Sequence, residues 1–189
     1  MKLFNGEEIR DVTLSILVLI LIFSFSRIND ILIVSLIVIF SFVLRLVSQK
    51  VVARKLGCMV TYKSWFTGIL IGIIGMFFFW FTKIPLAIAI PGFVEIMPFA
   101  FGRWGFKVVR ITTKDLGLIS LAGVGINVLL AVIFKALPGF VFQQMSFING
   151  VIAIFNLLPI PNLDGSRIFL WKMWFWLFLV FVNVLVLIL

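Results

Sequence analysis

The chain has 189 residues, 63% of them hydrophobic and 12% charged, with a mean hydropathy of +1.30. Soluble domains are about half apolar, so lipid is the expected solvent, and no stretch is polar enough to build a separate soluble domain. The formal net charge of +9, from 16 Lys+Arg against 7 Asp+Glu, fits basic loops that set membrane topology better than a nucleic-acid-binding face.

Residues 1–11 are polar. Glu7 and Glu8 precede the first apolar run and no small-residue cleavage site follows, so no cleavable signal peptide is expected. Asp11 is placed to cap the next helix. Val12 to Ser26 is uncharged but short for a span of about 20 residues, and Arg10 and Arg27 are expected to snorkel at its ends. Asn29-Asp30 predicts a turn. Ile31 to Gln49 is a second span with one internal charge, Arg45. A basic loop with Lys50, Arg54, Lys55 and Lys63 follows, and Trp65 marks the next interface.

Trp65 to Phe81 is apolar, with Gly68, Gly72 and Gly75 expected to allow close helix packing. Lys83 and Pro85 interrupt it. Ile84 to Gly102 holds Pro85, Pro91, Gly92, Glu95 and Pro98, a poor continuous helix. A re-entrant, membrane-embedded return is expected, which is tolerated only inside protein or beside a wet cavity. Arg103, Lys107, Arg110 and Lys114 form a second basic loop. Spans follow at Leu116 to Phe134, about Phe142 to Leu158, and Met173 to Leu189, the last opened by Trp171, Trp174 and Trp176.

With the N-terminus inside, the inner side receives Lys2, Arg10, Lys50, Arg54, Lys55, Lys63, Arg103, Lys107, Arg110, Lys114, Arg167 and Lys172. The outer side keeps Arg27, Lys83 and Lys135. This positive-inside bias holds only if residues 65–102 enter the membrane and return to the same side. The expectation is therefore an all-α polytopic protein of the cell membrane, N-terminus cytoplasmic. It forms one transmembrane domain over 1–189, with five to six transmembrane helices and a re-entrant hairpin. The one cysteine, Cys58, excludes an internal disulfide. The basic loops are expected to meet anionic headgroups.

Two features bear on chemistry. The string Phe155 to Gly165 places Asp164 at the end of a span, behind Asn156, Pro159, Pro161 and Asn162. An ionisable group there is a functional-site hypothesis by default. The chain also has no histidine. Zinc hydrolysis needs about three protein ligands with an open position, plus a carboxylate base. The usual device is H-E-x-x-H on one helix face. Without histidine, the candidate ligands are Cys58, Glu95 and Asp164, too few for that device.

The motifs resemble those of the site-2 proteases, intramembrane zinc metalloproteases, over most of the chain. Phe155-Asn156-Leu157-Leu158-Pro159-Ile160-Pro161-Asn162-Leu163-Asp164-Gly165 resembles their N-x-x-P-x-x-x-L-D-G signature, whose aspartate is a zinc ligand. Val52-Ala53-Arg54-Lys55-Leu56-Gly57-Cys58 is similar to the tail that follows their H-E-x-x-H helix. Counting back puts Arg45, Leu46 and Gln49 at the first histidine, the glutamate and the second histidine. Pro91 to Glu95 resembles their membrane strand, and Ser120 to Asn127 their A-G-P-x-x-N helix, with Val124 for the proline.

The resemblance implies zinc and endopeptidase activity; the departures imply neither here. They imply a pseudoprotease with no cofactor and a vestigial ligand position at Asp164. Its partners would be the bilayer and a transmembrane segment or membrane protein, not nucleic acid. An active protease and a structural accessory subunit are the competing readings. Arg45 and Gln49 lie at i and i+4, on one face. Arg45 is expected either to replace the metal by pairing with Asp164 or to snorkel while Asp164 stays wet. Glu95 is expected to join the Arg45 cluster rather than cap a strand. Asn127, Asn156 and Asn162 are expected either to hold an extended segment or to bond between helices.

Overall fold

A computed structural model describes residues 4–25, 28–82, 90–102, 105–108 and 110–189. Arg27, Lys83, Pro85 and Arg103 of the sequence reading lie outside them. The described chain is mostly helical, in the order α1 (Gly6–Ser24), α2 (Ile31–Lys55), β1 (Met59–Ser64), α3 (Phe66–Thr82), β2 (Gly92–Met97), β3 (Phe99–Gly102), β4 (Gly105–Val108), α4 (Thr113–Lys135), α5 (Phe140–Asn156), α6 (Asp164–Trp171) and α7 (Met173–Ile188). A 3-10 turn, Ile28–Asp30, joins α1 to α2. The all-α expectation gives way at the strands. β1 pairs antiparallel with β2, Ser64 opposite Gly92, and β3 with β4. Tyr62, Val60 and Val94 are apolar bodies buried at alternate strand positions, as a half-buried sheet requires.

Among the described residues, two helices are long and apolar enough to cross a membrane, α2 with 25 residues and α4 with 23. α3, α5 and α7 are apolar but shorter. α2 runs six residues beyond its expected end, so Lys50, Arg54 and Lys55 are helical rather than looped. α1 starts at Gly6, so Asp11 is inside the helix and caps nothing. Thr112 caps α4 instead, in a capping box with Asp115.

α4 is the central packing element, against α2, α5, α6 and α7. One apolar cluster joins α1, α2, β1 and α5 through Leu19, Val38, Phe42, Leu46, Tyr62 and Ile152. Another joins α4 to α7 through Val124, Val128, Leu157, Ile168 and Leu179. The outer faces carry exposed Leu32, Leu36, Ile74, Trp174, Phe181 and Ile188. Apolar residues outside as well as inside mark a helix whose surroundings are themselves apolar.

The outer edge of β1 is closed by side chains. Alternate residues present their backbone groups to the same edge. There Tyr62 N–H donates to Glu8 Oε1 at 2.9 Å and Ser64 N–H to Asp11 Oδ2 at 3.1 Å. Lys50 Nζ donates to Val60 O at 3.2 Å and pairs with Glu8 at 2.7 Å. Ser15 and the Tyr62 hydroxyl bond at 2.8 Å. One face of α1 thus stands where a third strand would lie.

Candidate polar site between α2, α5 and α6

Arg45 and Gln49 leave α2 one turn apart, and Asn156 ends α5. Asp164 opens α6, which is brought back against the end of α5 because Gly165 packs on the Leu157 carbonyl, where a Cβ would collide. Arg45 Nη2 donates to Asp164 Oδ2 at 2.7 Å and to Asn156 Oδ1 at 2.6 Å. Gln49 Nε2 donates to both Asp164 oxygens at 3.0 Å. The Arg45 and Asp164 side chains are 2% and 1% exposed. Asn156 Nδ2 in turn donates to Ile152 O at 2.7 Å, which fixes the amide so that its oxygen faces Arg45.

Burying two charges costs several kcal/mol each and is tolerated where the pair is close and its remaining atoms are bonded. Charge-assisted bonds from Arg45 and Gln49 meet that need at Asp164. The helix N-terminus of α6 also favours a carboxylate at its first residue. Gly123 of α4 lies against the Gln49 amide, where a Cβ would not fit, and Ser48 bonds Ala122 O at 2.8 Å. α4 therefore backs the polar face of α2.

The other residues singled out in the sequence are placed differently. Leu46 is a fully buried core residue. Asn127 is fully buried on α4, and neither polar atom of its side chain has a hydrogen-bond partner among the described residues. Asn162 does not enter the cluster: it is exposed, and its φ of 73° puts it in the left-handed region that asparagine tolerates better than most residues. Glu95 does not join Arg45. It pairs at 2.6 Å with Lys63 of the neighbouring strand, both partly exposed, and the bond and charge hold the Lys63 ammonium above its ordinary value. A cation two residues from its cross-strand partner was nearer than the helix.

In the sequence Arg167 counts only toward the inner-side positive charge. It sits one turn after Asp164, at 3.8 Å from its Oδ1, and donates to Val94 O on β2 at 2.8 Å. The i,i+3 spacing from Asp164 was the available signal.

Around Asp164 stand the amides of Gln49 and Asn156 and the guanidiniums of Arg45 and Arg167, and among the described residues no thiol or second carboxylate bonds into that cluster. Arginine offers donors and no lone pair. No group of three or more His, Cys, Asp or Glu that could hold a metal occurs among the described residues. This donor set does not fit a zinc ion.

The chain is 33% identical over 184 residues to a Methanocaldococcus jannaschii protein named "Putative zinc metalloprotease", an alignment covering 92% of this chain and 88% of that protein. The chain belongs to that protein's family, one of site-2-protease-like membrane proteins. No protein-family model and no solved structure matches it.

Proposed function

We propose that the chain is a catalytically inactive site-2-protease-like protein that crosses the membrane several times and binds a transmembrane segment or membrane-protein partner without cutting it. The observation that carries this reading is the 2.7 Å pair between Arg45 and Asp164. The sequence puts Arg45 where the family's first histidine stands and Asp164 where its zinc-ligand aspartate stands. A guanidinium there supplies the positive charge that a buried carboxylate needs, and leaves no place for a metal-bound water.

The topology in this reading has five full spans, α1, α2, α4, α5 and α7, with the N-terminus cytoplasmic and α3 entering and returning. The strand pairing supports the return: Trp65 N–H donates to Pro91 O at 2.9 Å, so residues 65 and 91 stand side by side. The name of the Methanocaldococcus relative favours the competing reading, an active zinc metalloprotease. That reading requires ligands from another chain.

Metal analysis of the protein purified in mild detergent, beside an Asp164→Ala variant, separates the two. Zinc far below one equivalent in both is expected. Stoichiometric zinc that disappears in the variant would overturn the inactive reading.

A further inference from the structure

Among the described residues, the charges around Asp164 do not balance. Arg45, Arg167 and Lys63 face two carboxylates, Asp164 and Glu95. Lys63 and Glu95 satisfy each other at the rim. Asp164 is left between two guanidiniums, and Arg45 and Arg167 act on each other unfavourably. Asp164 is already committed: Arg45 and Gln49 donate to one oxygen and Gln49 to the other.

The Arg167 guanidinium is held by one arm only. Nη2 is anchored on Val94 O of β2, while Nη1 has no hydrogen-bond partner among the described residues. Asp164 Oδ1, at 3.8 Å, is beyond hydrogen-bond reach. Arg45 Nε is likewise without a partner among the described residues. A guanidinium N–H out of water and without an acceptor is costly. The Arg167 side chain is 16% exposed although Nη1 itself is shielded from water, so an acceptor reaches it when the side chains covering it give way, whereas the Arg45 side chain is 2% exposed.

We infer that Arg167 is a carboxylate-binding residue, and that the segment this protein binds carries an acidic group which docks on Nη1 beside the outer edge of β2. This rests on the segment-binding reading above and names the chemistry of the segment. Three observations point the same way: an excess of one cation, a donor without an acceptor, and a fork whose planar geometry matches a carboxylate. The anchor on a strand backbone favours an extended peptide over a lipid headgroup, because Val94 lies on the edge of β2 that does not pair with β1. An acidic residue in a membrane segment is itself costly unless partnered, so recognition of this kind selects segments that other surfaces reject.

The test uses the full chain in nanodiscs of zwitterionic lipid. Three apolar peptides of about 20 residues share one sequence and differ at a central position, Glu, Gln or Lys. Binding is read by fluorescence of a labelled peptide at neutral pH. The Glu peptide is expected to bind at least about tenfold more tightly than the Gln peptide, the scale of one charged hydrogen bond, and the Lys peptide most weakly. Arg167→Gln should erase the Glu-over-Gln preference while still binding the Gln peptide; Arg167→Lys should keep part of it. Equal binding of the Glu and Gln peptides to the unaltered protein would overturn this inference and leave the segment-binding reading standing. No binding by any of the three would overturn that reading and the inference with it. A preference abolished when anionic phosphatidylglycerol is added would assign the site to lipid phosphate, and would overturn the peptide assignment.

Discussion

Arg45 on α2 and Asp164 at the start of α6 are 119 residues apart in sequence and 2.7 Å apart in space. The bond therefore ties the first half of the chain to the last, through side chains that water does not reach. Removing one partner leaves the other charged and buried, at a cost of about 3–5 kcal/mol, whereas replacing both with apolar groups is often near neutral. Arg45→Met and Asp164→Leu should each lower thermal stability strongly. The double variant should recover most of the loss. Unfolding curves in detergent for the four proteins give the coupling directly; additive losses would mean that the pair carries no mutual energy.

The carboxylates of α1 hold two amides on the outer edge of β1. Glu8→Ala should speed amide hydrogen exchange at Tyr62, and Asp11→Ala at Ser64. Inward-facing amides of β1, bonded to β2, should change less. Because Glu8 also pairs with Lys50, its loss should destabilise more than that of Asp11. Equal effects at inward and outward positions would mean that α1 supports the strand only by packing.

Glycine positions give an internally controlled series. A Cβ at Gly165 meets the backbone carbonyl of Leu157, which cannot rotate away, while one at Gly125 meets Leu121 Cδ1 at 3.4 Å, an ordinary contact. Gly165→Ala should cost on the order of several kcal/mol through overpacking. Gly125→Ala should be neutral or gain up to about 1 kcal/mol from helix propensity. Melting temperatures of the two variants check the contrast.

Cys58 follows the end of α2 and is buried. Burial, and secondarily the charge of Asp115, push its thiol above the ordinary value. The thiolate is the reactive form, so alkylation at neutral pH should be slow in the folded protein and fast after denaturation. A raised thiol pKa also means that the reaction should accelerate only when pH rises beyond the usual thiol range. Rapid labelling of the folded protein at neutral pH would contradict the burial of this loop.

Asn162 separates backbone from ligand roles. Its positive φ predicts that Asn162→Gly is tolerated and that Asn162→Val costs about 1–3 kcal/mol of strain, with stability measured beside peptide binding. Binding that falls in the glycine variant at unchanged stability would restore a ligand role to this side chain.

The apolar runs of α2, α4, α5 and α7 were readable because a continuous uncharged stretch has few other solutions in a membrane protein. That Arg45 and Gln49 share one helix face was readable from their i,i+4 spacing; that this face meets Asp164 came only from the family resemblance, which left a snorkelling Arg45 as the alternative. Partner choice for charges was not. Glu95 had a strand neighbour, Lys63, that only the register with β1 reveals. Arg167 acquires its meaning from Val94, 73 residues away. Glu8 and Lys50 read as termini and loop, because nothing local in either segment announces that one helix will lie along the edge of a strand.

That arrangement of α1 on β1 sets an order of assembly. The helix is made first, yet Glu8 and Asp11 have their acceptor work to do only after Tyr62 and Ser64 have been synthesised and laid beside them. Until then the helix carries two carboxylates awaiting their amides, and the strand, when it arrives, has one side ready to adhere to any neighbouring chain. Closure of this edge thus follows synthesis of β1 and joins α1 to that strand. A bulky fusion ahead of Gly6 would delay it, and carboxyl-terminal fusions are the safer choice for producing the protein in soluble micelles.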